Sequence, residues 1–375
     1  MIIKGGLVFG QDGTFTEKDL YLEGERIAET AVETEVVDAE GCYVIPGLID
    51  VHFHGCVGYD FCDGTQEAIA AMAKYQLENG ITSMNPATMT LGEDTLLQIA
   101  KTAAEYKKAG HREGAELVGI NMEGPFISLE KKGAQNPKYI HTPDAALFER
   151  LQNAAEGLFR ICAVAPEEAG AMEFIDACHD KVVISVAHTT ADYDTAKEAF
   201  DRGAKQVTHL YNAMPGFSHR APGVIGAACD SSCMAELICD GIHVHPSVIR
   251  TTFKMFGDDR IILISDSMMA TGMEDGQYSL GGLAVTVKGN LATLTEGGAI
   301  AGSATNLMNC LRYAVKTAGI PLESAVKCAT KNPAKAIGLF EEYGSIETGK
   351  YADLVILDKD LQIRQVIKKG KIAVS

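Results

Sequence analysis

Two histidines stand two residues apart in the run Ile45-Pro46-Gly47-Leu48-Ile49-Asp50-Val51-His52-Phe53-His54-Gly55. Side chains at i and i+2 of a strand share a face, so His52 and His54 can converge on one point. Imidazole is a common ligand for zinc, iron and nickel. A His-x-His pair by itself also occurs incidentally in strands and loops. Other residues able to hold a metal or move a proton recur along the chain: Glu123, His188, His209, His243 and Asp266. Each alone has a bland reading. Glu123 could be a surface carboxylate at a turn, His188 and His209 hydrogen-bonded core histidines, and Asp266 a cap for the segment that follows.

Their weight comes from the elements that must carry them. Short apolar strands are predicted at 44–52, 81–85, 117–122, 159–164, 182–187, 206–209, 235–239 and 261–265. Stretches rich in Ala, Glu, Lys and Leu at 67–79, 95–109, 145–153, 195–202 and 247–256 predict helices between them. Alternating β and α units with apolar strands predict a parallel sheet, and eight such units predict a (β/α)₈ TIM barrel over residues 45–342. The alternative is an open doubly wound sheet, but no Gly-x-Gly-x-x-Gly follows the first strand. Residues 278–294 read as a hairpin inserted over the barrel mouth, with helices resuming at 306–318.

Catalytic groups of such a barrel come from the C-terminal strand ends and the loops after them. Strand one ends in His52 and His54, strand three in Glu123, strand five in His188 and strand six in His209; His243 follows strand seven, and Asp266 ends strand eight. Three His or carboxylate ligands with one position left open is the pattern of a catalytic metal. A metal there lowers the pKa of its water to about 7 and polarises a carbonyl. Asp266 is then free to take a proton and deliver it to a leaving group. Those are the requirements of amide hydrolysis.

Residues 1–44 hold short strand-like pieces separated by Gly and Asp turns, and residues 343–375 look like their missing half. Neither has enough apolar residues to bury a core alone, so a small β-sandwich domain built from both, without catalytic residues, is expected. The 375-residue chain is 46% hydrophobic and 22% charged, the composition of a soluble globular protein. No apolar run approaches the ~20 residues of a membrane span. The N-terminus lacks the apolar core of a signal peptide, so a cytoplasmic location is expected. A formal net charge of −17 argues against nucleic-acid binding and requires concentrated donors for any anionic substrate. The ten cysteines include no Cys-x-x-Cys pair and are expected to be reduced and mostly buried. The spacing of Cys229, Cys233 and Cys239 fits no structural zinc site.

With these residues in hand, the chain resembles the amidohydrolase superfamily, and within it the family that deacetylates N-acetylglucosamine 6-phosphate. The resemblance covers essentially the whole chain. It is carried by Pro46-Gly47-Leu48-Ile49-Asp50-Val51-His52, Met122-Glu123-Gly124-Pro125-Phe126, Thr208-His209-Leu210-Tyr211-Asn212-Ala213-Met214 and Asp240-Gly241-Ile242-His243-Val244. It implies Glu123, His188 and His209 as primary metal ligands, His52 and His54 as ligands of a second metal, and Asp266 as general base and acid. Ala134, Gln135, Asn212, Ala213, Arg220, His243 and Ile300 are implied as substrate contacts. One or two divalent metals (Zn, Fe, Mn, Co or Ni), a sugar phosphate substrate and a homodimer follow from the same likeness, with Arg220 or His243 reaching the neighbouring active site. Some members carry a His in the loop after Glu123 that meets the acetamido carbonyl; here the matching residue is Gln135, which can donate a hydrogen bond but cannot titrate. Another amidohydrolase activity, on an N-acyl amino acid or a cyclic amide, is the alternative.

Overall fold

A computed structural model describes residues 1–32 and 35–375. Its central feature is a curled parallel sheet. Leu48–Asp50 pairs with Ile81–Met84, which pairs with Glu116–Leu117. Beyond short irregularities the same runs continue as Ala87–Thr88 and Ile120–Met122, paired with each other. From there the neighbours follow chain order through Phe159–Val164, Val183–Val186, Gln206–Val207, Met234–Ile238 and Ile261–Ile264. The last strand returns to the first: Asp266 N–H donates to His52 O at 2.9 Å, and Ser265 Oγ to Asp50 Oδ2 at 2.5 Å. Most residues of these strands are buried, as expected where helices cover one face and the curl encloses the other.

Inside the curl, Ile49, Val51, Val118, Ile161, Ile238, Ile262 and Ile264 pack together, with Ala334, Ile337 and Tyr343 against them. This apolar floor leaves the C-terminal strand ends as the polar face. Outside it, helices such as Gln66–Glu78, Glu93–Ala109 and Leu307–Lys316 bury Ala, Leu, Ile and Met against the sheet. Their starts obey local chemistry: Thr65 and Asn306 each cap a helix by accepting a backbone N–H.

The two chain ends meet in one eight-stranded sheet. Ile2–Phe9 pairs with Phe15–Glu23 on one side and Tyr43–Pro46 on the other; Leu354–Leu357 joins Tyr43–Pro46 antiparallel, followed by Ile363–Lys368 and Lys371–Val374. Its core holds Ile3, Val8, Leu20, Leu22 and Val44 from the N-terminal segment with Leu354, Ile356 and Ile367 from the C-terminal one.

Three readings of the sequence change here. The strand predicted at 44–52 is two strands: Tyr43–Pro46 belongs to the terminal sheet and Leu48–Asp50 to the parallel one. The break is Gly47, where a Cβ would lie 2.2 Å from Thr82 Oγ1. The region read as a hairpin is a three-stranded antiparallel sheet, Gly276–Leu280, Leu283–Lys288 and Leu291–Leu294, over its own small core of Met89, Met268, Leu280, Val285 and Val287. Helices Ala171–Cys178 and Gly223–Cys229 were not foreseen; both begin without a side-chain cap bond. All ten cysteines are free, seven of them buried. Among the described residues, no helix is long and apolar enough to cross a membrane.

Candidate active site

At the C-terminal ends of the parallel strands four imidazoles converge on one carboxylate. Glu123 Oε1 lies 3.1 Å from His209 Nε2, 3.2 Å from His188 Nε2 and 3.3 Å from His52 Nε2. Its Oε2 lies 3.2 Å from His54 Nε2. Asp266 closes the group, with Oδ1 3.4 Å from His54 Nε2 and 3.8 Å from His52 Nε2. All six residues are buried. They form two sets of mutually close ligand atoms, Glu123 with His188 and His209, and His52 and His54 with Asp266.

The backbone is bent to achieve this. His188, His209 and Asp266 have φ of 43°, 27° and 49°. For residues with a Cβ such conformations cost roughly 1–3 kcal/mol each and persist where the surroundings impose them. The bends turn the side chains in from the strand ends to face one another across the curl.

In two of the four rings the outer nitrogen is engaged. His188 Nδ1 is 2.8 Å from Lys131 O, and because a carbonyl only accepts, Nδ1 carries the hydrogen. His52 Nδ1 is 2.8 Å from Glu236 Oε2. These outer bonds leave Nε2 as the inward-facing atom, the arrangement by which metal-ligating histidines are oriented. Among the described residues, His52 Nε2, His54 Nδ1 and His209 Nδ1 are buried nitrogens without a hydrogen-bond partner. Four inward Nε2 atoms and two carboxylates form a donor set suited to a divalent metal.

Burial opposes ionisation of Glu123, but the His52 charge and the bonds from His188 and His209 hold it well below the usual carboxylate range. Burial also opposes charge on His54, yet Asp266 and Glu123 raise its pKa to about 10. Burial pushes the Asp50 carboxyl up to about 7 even though Ser265 and the His52 N–H donate to it.

A cavity of about 390 Å³ opens over this cluster, lined among others by Ala134, Gln135, Asn212, Ala213, His243, Asp266 and Ile300. His243 is held by Asp240: Nδ1 lies 2.7 Å from Asp240 Oδ2, while the other carboxylate oxygen accepts the His243 and Ile242 N–H groups. Burial alone would lower the His243 pKa, but this partner raises it. The Gln135 amide is turned to Glu123, donating to Oε2 at 2.6 Å, and its oxygen accepts the Thr90 N–H. Asn212 donates its amide to the carbonyls of His209 and Leu210, bracing the strained turn. Arg220 is exposed and is not among the residues lining the cavity. His141 is also exposed, with its Nδ1 2.9 Å from Thr142 O.

Two buried carboxyl residues beside the site, Asp50 and Glu236, escaped the sequence reading. Asp50 fastens the last strand to the first. Glu236 stands inside the apolar run Met234-Ala235-Glu236-Leu237-Ile238. A charged residue within a strand that is otherwise core was the available signal.

A second cavity, of about 370 Å³, is lined by Lys107, Arg112, Glu116, Lys368, Lys369 and Lys371, among others. It contains none of the residues of the ligand cluster or of the cavity above it. Glu116 occupies two of its cations, bonding Lys107 and Lys369 at 2.6 and 2.7 Å.

The model of the amidohydrolase family matches residues 43–373. The chain is 38% identical to the N-acetylglucosamine-6-phosphate deacetylase of Bacillus subtilis (strain 168), over 99% of this chain and 93% of that protein. It is 30% identical to the N-acetylgalactosamine-6-phosphate deacetylase of Escherichia coli O157:H7, over 99% of each. The crystal structure of N-acetyl-D-glucosamine-6-phosphate deacetylase from Mycobacterium smegmatis superposes with a TM-score of 0.92 at 32% identity, covering 100% of both chains. With the ligand cluster at the expected strand ends and likeness extending over the full length, the chain belongs to the amidohydrolase family and, within it, to the N-acetylglucosamine-6-phosphate deacetylases.

Proposed function

We propose that the chain hydrolyses the acetamido group of N-acetyl-D-glucosamine 6-phosphate, giving D-glucosamine 6-phosphate and acetate in the cytoplasm. The observation that carries this reading is the convergence of four Nε2 atoms and Asp266 on Glu123 beneath a cavity of about 390 Å³. In this reading the curled sheet is the (β/α)₈ barrel of residues 45–342, and residues 1–44 and 343–375 form the small β-sandwich domain.

Glu123, His188 and His209 would hold one divalent metal (Zn, Fe, Mn, Co or Ni). His52 and His54 would hold a second, with Glu123 between the two. When bound, such a metal makes water a nucleophile near neutral pH and draws charge from the acetyl oxygen. Asp266 stands at the edge of the cluster, where its carboxylate accepts the proton of the attacking water and passes it to the departing amine. Gln135 keeps Glu123 oriented from the loop after the third strand. His243, fixed by Asp240, presents its other ring nitrogen to the sugar, and Asn212, Ala213, Ala134 and Ile300 complete the walls.

The phosphate needs a concentrated donor in a chain of net charge −17, and a guanidinium is the group suited to it. Arg220 lies outside the cavity of its own chain, which supports a homodimer in which it serves the neighbouring site. Exposed Leu129, Phe217, Ile242, Met273 and Ile300 stand on loops at this same end and supply apolar surface for such contact.

Assaying metal-loaded protein on N-acetylglucosamine 6-phosphate, its unphosphorylated sugar and N-acetylgalactosamine 6-phosphate tests the reading. Turnover is expected to be fastest with the first. Equal turnover with and without the phosphate would remove the sugar phosphate as substrate.

A further inference from the structure

Glu236 lies in the strand Met234–Ile238, is fully buried, and has core residues Ala235 and Leu237 on either side. A carboxylate in such a place costs several kcal/mol unless its oxygens are bonded. Each of them is bonded. Oε1 accepts from Gln206 Nε2 at 2.7 Å; Oε2 accepts from His52 Nδ1 at 2.8 Å and from the His209 N–H at 3.1 Å. Two of the three donors thus belong to residues whose Nε2 atoms face Glu123. Glu236 is absent from the cavity wall and has no access to substrate.

The consequences for the two histidines differ. With Nδ1–H committed to Glu236, the nitrogen of His52 left to take a metal, once its proton is lost, is Nε2, one of the buried nitrogens without a hydrogen-bond partner among the described residues. At His209 the bond is to the backbone, where φ is 27°, and the Glu236 carbonyl also accepts the Leu210 N–H at 2.9 Å. The strained bend is therefore pinned by one residue of the adjacent strand. No other contact of the His52 ring outside the cluster competes with this one among the bonds of the described residues.

We propose that Glu236 is a positioning residue that aims His52 Nε2 at the second metal, the one it would hold with His54, and so controls occupancy of that site selectively over the one at Glu123, His188 and His209. This rests on the metal-dependent reading above. A carboxylate behind a metal-bound histidine fixes the ring and raises its basicity, and losing it typically weakens metal affinity ~10–100-fold.

The test is a competitive zinc titration against a chromophoric chelator, on protein stripped of metal, comparing the natural chain with Glu236→Gln. Gln206 can rotate its amide to meet the new one, because its Oε1 has no hydrogen-bond partner, so the variant is expected to fold. The natural chain should take two equivalents. The variant should bind the first unchanged and the second ~10–100-fold more weakly. Unchanged affinity for both equivalents overturns the proposal, and so does an equal loss of both, which would mark a general structural role. A natural chain that takes only one equivalent also overturns it. One that takes none instead refutes the metal-dependent reading, a separate failure. Should Glu236→Gln not fold, Glu236→Asp keeps the charge but withdraws the oxygens, and must show the same selective loss.

Discussion

In the proposed reaction the chemistry turns on Asp266, whose carboxylate lies both in the cavity wall and at the edge of the ligand cluster. Asp266→Asn keeps the shape and removes the proton acceptor. General acid–base catalysis contributes typically ~10²–10⁴-fold, so kcat should fall by about that factor while metal remains at Glu123, His188 and His209. Steady-state kinetics paired with metal analysis checks this; near-normal kcat would remove Asp266 from the role. The histidines make a second prediction. In the metal-free chain Asp266 and Glu123 raise the His54 pKa to about 10, so the ring is protonated at pH 7. A ligand must be neutral, so metal uptake expels that proton. The sign follows: a raised pKa makes affinity rise with pH from 6 to 9, levelling only as pH approaches 10. Calorimetry in buffers of different ionisation enthalpy measures the released protons. Uptake without proton release would show that His54 is not a ligand.

At the scale of the elements, the passage from terminal sheet to curled sheet is made at Gly47, which lies against the buried Thr82. Thr82 is β-branched and offers no easy rotamer escape. Gly47→Ala should therefore destabilise the chain by about 1–3 kcal/mol, the usual cost of overpacking a filled site. A urea denaturation series would show it as a lower midpoint with the slope unchanged; an unchanged midpoint would mean that Thr82 yields. Gly47 also marks what pattern reading could and could not supply. The strand ends bearing His188 and Asp266 were legible because a mostly apolar run stopped at a polar residue. The division at Gly47 was not, because the apolar run continues on both sides and only the contact with Thr82 separates it. The helix Gly223–Cys229 has glycine and β-branched residues and lacks a side-chain cap bond, so local propensity pointed away from it. Glu236 was hidden for a third reason: its partner His52 is 184 positions away, and no local pattern reports a contact at that distance. The orientation of Gln135 toward Glu123 is likewise tertiary, set by the Thr90 N–H at its other end.

For the whole molecule the governing quantity is charge. A sugar phosphate approaching a chain of net charge −17 meets a repulsive field that only local donors can reverse. Arg220 is exposed, and its own cavity does not include it. In the proposed homodimer, Arg220 would act on the phosphate held in the neighbouring copy's cavity. If so, Arg220→Ala should raise KM for the phosphorylated substrate ~10–100-fold, the equivalent of roughly 1.5–3 kcal/mol for a charge-assisted hydrogen bond, and leave the unphosphorylated sugar nearly unaffected. The decisive measurement mixes two inactive or impaired partners. In a hybrid of Arg220→Ala with Asp266→Asn subunits, the site that keeps Asp266 receives Arg220 from the other chain. Normal KM should return in that site, at half the activity of the unaltered dimer. If Arg220 acted within its own chain, no site of the hybrid would hold both groups, and KM would stay raised. That difference decides whether the phosphate contact belongs to one chain or to two.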